Sequence, residues 1–272
     1  GSVLRDSVGG GKIVAEGAAA LVLQPLNTTG YQGANLNFTV SNVTLQSSNS
    51  GVALNIWYSN VTLEKVTVTG DGRNDGTING VQVVNNSDVT FKDSTIDVTV
   101  NYVHPKNELS GTAILVSDNA KVTLDGTTVN VKNENETASG EAAQTSALWV
   151  QNNSDAVVKN STVTSTYSGI VILGKSFKGD HDEVMEQILA IKQEDYARLD
   201  VIDSVVESQA SFAVAGNGTL HGTLINIEGS KIAVTGEAPA IYHPQYGVLN
   251  VGDGTEITGY TGVEMRAGTF NM

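Results

Sequence analysis

The octapeptide V-T-F-K-D-S-T-I at residues 89–96 decides the fold, because degenerate copies of it recur along the chain. Its pattern is apolar-x-apolar-x, a two-residue turn, one free position and a further apolar residue. The copies read VTLEKVTV (61–68), VTLDGTTV (122–129), AVVKNSTV (156–163), LDVIDSVV (199–206) and INIEGSKI (225–232). LNFTVSNV (36–43) reads as a looser first copy, LNVGDGTEI (249–257) carries one extra residue, and FNM (270–272) begins another. Start-to-start spacings run from 21 to 43 residues. A unit this short cannot bury an apolar face alone, so repetition implies a stacked, quasi-one-dimensional architecture.

Each octamer holds two short strands. Val89 and Phe91 alternate with Thr90 and share one face, Asp93-Ser94 turns the chain, and Ile96 resumes the inward face. The equivalent dyads Gly126-Thr127, Asn160-Ser161, Asp203-Ser204, Gly229-Ser230 and Asp253-Gly254 use residues that tolerate left-handed backbone. A third strand recurs about nine residues before each octamer, as in GVALNI (51–56), GTAILV (111–116), SALWV (146–150), PAIYH (239–243) and TGVEM (261–265). The expected fold is therefore all-β: a right-handed parallel β-helix with three strands per coil and about nine coils. Three inward columns are expected, headed by Leu36, Phe38 and Val43 and continuing through Val89, Phe91 and Ile96. A β-sandwich also has short strands at regular spacing, but it does not require the same octamer eight times. The reading treats 1–272 as one domain, a fragment of a larger surface protein, with Gly1-Ser2 taken as a tag scar.

Composition agrees with strands joined by tight turns. Glycine is abundant at 29, proline scarce at 4, and aromatics make up only 6%. A formal charge of −14 offers no basic stripe for a phosphate backbone, so nucleic acid is not an expected partner. Without cysteine there are neither disulfides nor thiolate metal sites. No run of 18 apolar residues occurs, so direct membrane insertion of this segment is not expected.

The stretch PAIYHPQYGVLNVGDGTEITGYTGVEMRAGTFNM (239–272) resembles the right-handed parallel β-helix repeats of cell-surface proteins in gut-dwelling Gram-positive bacteria, built on the pectin-lyase-like solenoid. Such proteins alternate a G-x-L-x-I strand, a G-T-x-I-x-G turn and a T-G-x-E-x-R-A-G strand. The likeness covers nearly all of the chain except 174–198. It implies an extracellular, cell-wall-attached protein, either a modular adhesin or a carbohydrate-active enzyme. These motifs are core and corner residues, which specify architecture far better than role.

Departures from the minimal coil are the better guide to function, because loops on a rigid scaffold carry binding residues. Three consecutive units lengthen at the same corner: TGDGRNDGTIN (69–79), NYVHPKNELS (101–110) and KNENETASGEAAQT (132–145). Stacking would set side by side Asp71, Arg73, Asn74, Asp75, Tyr102, His104, Lys106, Glu108 and Glu134. The second departure is 174–198, where Asp180 and Glu183 form a capping-box pattern ahead of apolar residues at helical spacing. An amphipathic helix is expected near 180–197, its apolar stripe packing on the solenoid flank. Glu186, Gln187 and Tyr196 are its candidates for contact with a partner.

Other chemistry is weakly represented. GDGRNDG (70–76) partly echoes a calcium loop, but Arg73 occupies a ligand position and no Glu closes the site. His104, His181, His221 and His243 have no metal-cluster spacing, and no G-x-S-x-G elbow or phosphate loop occurs. No cofactor or metal is expected. Nine N-x-[ST] sequons follow from an Asn/Ser/Thr-rich solenoid. The leading expectation is a non-catalytic, adhesin-like binding segment for a host protein, with immunoglobulin a candidate, or for a mucin-type glycan. A polysaccharide lyase or glycoside hydrolase acting on acidic glycans is the first alternative, and a passive stalk the second.

Overall fold

The computed structural model describes residues 2–5, 10–48, 51–71, 78–106, 108–136 and 140–272, with backbone alone at 2–5, 71, 78 and 79. Among these residues the chain winds into three parallel sheets of ten, nine and nine strands, a right-handed parallel β-helix. One coil comprises Asp88–Lys92 in the first sheet, Thr95–Thr99 in the second and Gly111–Ser117 in the third. Val89 lies between Val61 and Val122, and Phe91 between Leu63 and Leu124. These side chains are almost wholly removed from water, each such burial stabilising by roughly 1.5–3 kcal/mol. Parallel strands are spaced ~4.8 Å apart, so the coils form a rod on the order of 40 Å long.

The corner between the first and second sheets is the most constant feature. From 42 to 230 it is always two residues, and the first is left-handed: Asn42 (φ 53°), Lys65 (54°), Asp93 (46°), Gly126 (62°), Asn160 (50°), Asp203 (46°) and Gly229 (58°). From the third of these corners onward the second residue is Ser or Thr, buried, and its hydroxyl joins successive coils. Ser204 Oγ accepts the Ser161 N–H at 3.1 Å and donates to the Ile202 carbonyl at 2.6 Å. Ser161 Oγ likewise accepts the Thr127 N–H at 3.0 Å, and Ser230 Oγ the Ser204 N–H at 3.1 Å. The turn's otherwise orphaned amides are thus satisfied without water, as buried backbone groups must be.

Stacking in register also governs the charges. A like charge repeated every ~4.8 Å would repel its neighbours. On the outer face of the first sheet the sign alternates instead, through Glu64, Lys92, Asp125 and Lys159. Lys159 meets Asp125 at 3.0 Å, and that hydrogen bond holds the Asp125 carboxyl below its ordinary range. A second column runs Asp88, Lys121, Asp155, with the Arg198 N–H donating to Asp155 Oδ1 at 2.8 Å. Further along, amides carry the stack: Asn226 donates to Asp200, Asn250 to Asn226 and Asn271 to Asn250, each at 2.7 Å.

Three expectations are corrected. The first octamer is FTVSNVTL (38–45), because Phe38 pairs with Val61, Val40 with Leu63 and Leu45 with Val68; the columns pass through Phe38, Val40 and Leu45 rather than Leu36, Phe38 and Val43. A coil precedes it, formed by Ser2–Arg5, Gly11–Glu16 and Leu21–Leu23. The helix spans His181–Ala190 and stops short of 197, since Ile191 turns extended (φ −66°, ψ 126°) as the chain heads back to the rod.

Replacing Ser204 by Ala removes one acceptor and strands the buried Ser161 amide. Chemical denaturation is expected to show a loss of about 1–3 kcal/mol, whereas the same change at the exposed Ser176 should leave stability within about 0.5 kcal/mol.

Candidate functional site

The remaining two corners hold the long departures from the minimal coil. The loops 101–110 and 132–145 stand at the corner between the second and third sheets, bounded by Thr95–Thr99 and Gly111–Ser117 in one coil and Thr128–Lys132 and Thr145–Val150 in the next. Their first expected neighbour, 69–79, leaves from the same corner. Arg73, Asn74 and Asp75 lie outside the described residues, as does the side chain of Asp71.

The two described loops are locked together. Ser110 N–H donates to the Gln144 carbonyl at 2.8 Å, and Val100 N–H to that of Lys132 at 2.8 Å. Asn133, buried to 4% exposure, is the pin: its Nδ2 donates to the Tyr102 carbonyl at 2.8 Å. Its Oδ1 accepts from Asn135 N–H, and its own N–H reaches Thr166 Oγ1 at 3.0 Å in the following coil. Nothing in the sequence pattern distinguishes Asn133 from the many other asparagines, and its role emerges only from stacking.

The expected site residues divide accordingly. Tyr102 packs against the core and meets His104 edge-on at 6.3 Å, so it is a support for the loop. His104 Nδ1 accepts the Lys106 N–H at 3.3 Å and lies 3.9 Å from Glu108. Lys106, Glu108 and Glu134 are exposed. In the next coils this corner shrinks, and the overhang leaves a cleft of about 560 Å³ lined by Lys132, Glu134, Thr164, Glu207 and Gln209 among others. Glu207 is engaged by Lys231 at 2.8 Å.

The helical insertion leaves from the opposite edge of the third sheet, after Ser168–Ile172, and returns at Ala197–Ile202. Its start is capped as the sequence indicates: Asp180 Oδ1 accepts the Asp182 and Glu183 amides at 3.0 and 3.1 Å, and Glu183 Oε2 accepts the Asp180 amide at 3.1 Å. The helix docks by one edge, with Ile188 buried and Leu189 75% exposed. Glu186 and Gln187 are exposed, Gln187 Nε2 donating to the Glu183 and Lys178 carbonyls. Tyr196 is half-buried, and a Cβ on Gly222 would lie 3.4 Å from its ring and 3.1 Å from Ile191. It braces the insertion against the rod. The base is clasped to the next coil, Lys175 N–H donating to the His221 carbonyl at 2.6 Å and His221 N–H returning to Lys175 at 2.8 Å.

Between the two corners lies the outer face of the third sheet, which is unexpectedly apolar. Leu115, Trp149, Val171, Ala215 and Tyr242 form one outward column. Phe212 stacks on Tyr242 at 4.6 Å, and Arg266 lies over the other ring at 5.2 Å from the Tyr242 centroid. Both tryptophans of the chain face outward here, each pinned by an amide two residues away: Trp57 Nε1 by Asn55 and Trp149 Nε1 by Gln151. Strand alternation in SALWV places Trp149 outward, but a half-buried column reads as core by composition.

Among the described residues no group of three or more His, Asp or Glu side chains converges as for a metal. No family model, curated protein or solved structure matches the chain.

Two buried histidines make the fold sensitive to acid. His243, fully buried, shares Nδ1 with the Ala267 carbonyl at 3.2 Å, and its Nε2 has no partner. His221 Nδ1 accepts the Tyr246 N–H at 3.2 Å. Burial pushes both imidazoles below their ordinary range. The unfolded chain therefore binds more protons, so stability is unaffected above about pH 6.5 and falls as pH drops below it. Thermal melts from pH 7.5 to 5 should show this decline, and His243→Leu should flatten it. In a separate test, a Cβ on Gly174 would sit 2.0 Å from the His221 carbonyl. Gly174→Ala is expected to undock the insertion and cost about 1–3 kcal/mol, seen as faster proteolysis within 174–196.

Proposed function

We propose that this chain is a non-catalytic binding segment of an extracellular, cell-wall-attached adhesin, recognising a host protein such as immunoglobulin or a mucin-type glycan. The observation that carries this reading is the pair of long loops held in register by Asn133 above a polar cleft. Loop length that drifted without consequence would not call for a buried asparagine tying three coils together. A preorganised patch binds without first losing loop entropy, which is where much of an interface's free energy goes. The exposed groups Lys106, Glu108 and Glu134 then supply the polar rim.

One observation favours a polysaccharide lyase or hydrolase instead. On the first sheet, burial pushes Asp155 above the ordinary carboxyl range, while Asp200 nearby is held by Arg198 at 2.8 Å. A carboxyl raised in this way suits the work of a general acid. Turnover of an acidic glycan that Asp155→Asn abolishes would replace the binding reading with this one.

The direct test uses immobilised immunoglobulin and mucin, with shortened 101–110 and 132–145 loops, Asn133→Ala, and deletion of 174–198 as separate variants. Loop shortening is expected to weaken retention about tenfold or more, and Asn133→Ala by a smaller factor through loss of preorganisation. Retention unchanged in every variant would overturn the assignment.

A further inference from the structure

The corner opposite the loops carries a second recess, of about 500 Å³, within the ~300–1,000 Å³ of small-ligand sites. Leu173, Leu220 and Phe177 form its apolar side, and Gln151, Asn152, Asn153 and Ser176 its polar side. Lys175 is the single charged residue in the lining. In a chain with 29 acidic residues, no carboxylate lines this recess. Lysine ion pairs among the described residues fall at Lys159, Lys192 and Lys231, which leaves Lys175, a half-buried residue, without one.

The polar groups are held in place before any ligand arrives. Asn152 and Asn153 are left-handed (φ 54° and 59°), forming a rigid turn at the sheet corner. Asn152 Nδ2 donates to Ser117 Oγ and to Asp118 Oδ1, both at 3.1 Å, which fixes its amide in place. Gln151 is fixed by Trp149 Nε1 at 2.9 Å. Phe177 is steadied by stacking on His221, with 6.4 Å between the rings. The clasp between Lys175 and His221 fixes the wall that carries both Lys175 and Phe177.

We infer that this recess binds a saccharide unit bearing a carboxylate. Sugar rings present a C–H face and an edge of hydroxyls, which matches an aromatic and aliphatic wall facing several amides. One ammonium without an ion pair matches one carboxylate, because a hydrogen bond between charged groups is stronger than one between neutral groups. A phosphate group would call for several cations or converging backbone amides, and the lining supplies one cation among neutral side chains. The site rests on the reading of this chain as a binding segment and names a ligand class for it. It lies across the third sheet from the loops, so the two assignments fail separately.

Isothermal titration of the folded protein with lactose, sialyllactose and digalacturonate tests the inference. At least one acidic sugar is expected to bind more tightly than lactose. Lys175→Gln should weaken that sugar about tenfold or more, the scale of a lost charged hydrogen bond, and leave lactose unchanged. Asn153→Gly keeps the left-handed turn, removes the amide, and should weaken both classes severalfold. The loop-shortened variants should bind the acidic sugar as the parent does. No acidic sugar binding at millimolar concentration would overturn the inference. So would binding indifferent to both substitutions, binding lost on loop shortening, or a peptide that competes while sugars do not.

Discussion

The corner between the first and second sheets constrains everything else in this molecule. A buried Ser or Thr hydroxyl there serves two coils, accepting an amide from one and donating to its own strand. An inserted residue would displace that hydroxyl and orphan amides on both sides, a cost of about 1–3 kcal/mol for each group. Seven successive corners keep two residues, the last five with that hydroxyl, while coil length elsewhere varies widely. The long excursions, the loops and the helical insertion, are found at the remaining two corners.

The same stacking explains how a chain of charge −14 forms a rod at all. Identical positions recur a few ångströms apart, so an acidic column would repel along its whole length. Alternation of sign from Glu64 to Lys159, and the amide run from Asn226 to Asn271, keep the sheet surface close to neutral. Excess acid is displaced to places where no neighbour sits in register, as in Glu134 on its loop and Asp182, Glu183 and Glu186 on the helix.

Much of the fold was legible because the octamer encodes the corner as well as the strands. Where the corner was misread, the strands alone did not suffice. Leu36, Phe38 and Val40 all alternate inward in a plausible way, so period-two patterning cannot choose between registers two residues apart. Only Asn42, left-handed at φ 53°, fixes the frame. The helix start was legible from its capping box, whereas its end is set by Ile191 and Tyr196 closing on Gly222, a contact some thirty residues away in sequence. Asn133, Trp149 and Lys175 escaped notice for the same reason. Their significance lies in which coil stands beside them.

The loops and the insertion flank adjacent strands, Thr145–Val150 and Ser168–Ile172, from opposite edges of the third sheet. A strand of five or six residues spans roughly 17–20 Å, less than the width of an ordinary protein footprint. One macromolecular partner engaging both corners would therefore lie across the outward column of Leu115, Trp149 and Tyr242. That column is the apolar face one expects at the centre of an interface, with polar loops as its rim. Gln151, which lines the recess with Lys175, also accepts the Trp149 Nε1–H at 2.9 Å, so recess and column adjoin. A partner of either kind would meet tryptophans already held by neighbouring amides, so its binding would draw on rigidity that the stacked corners already provide.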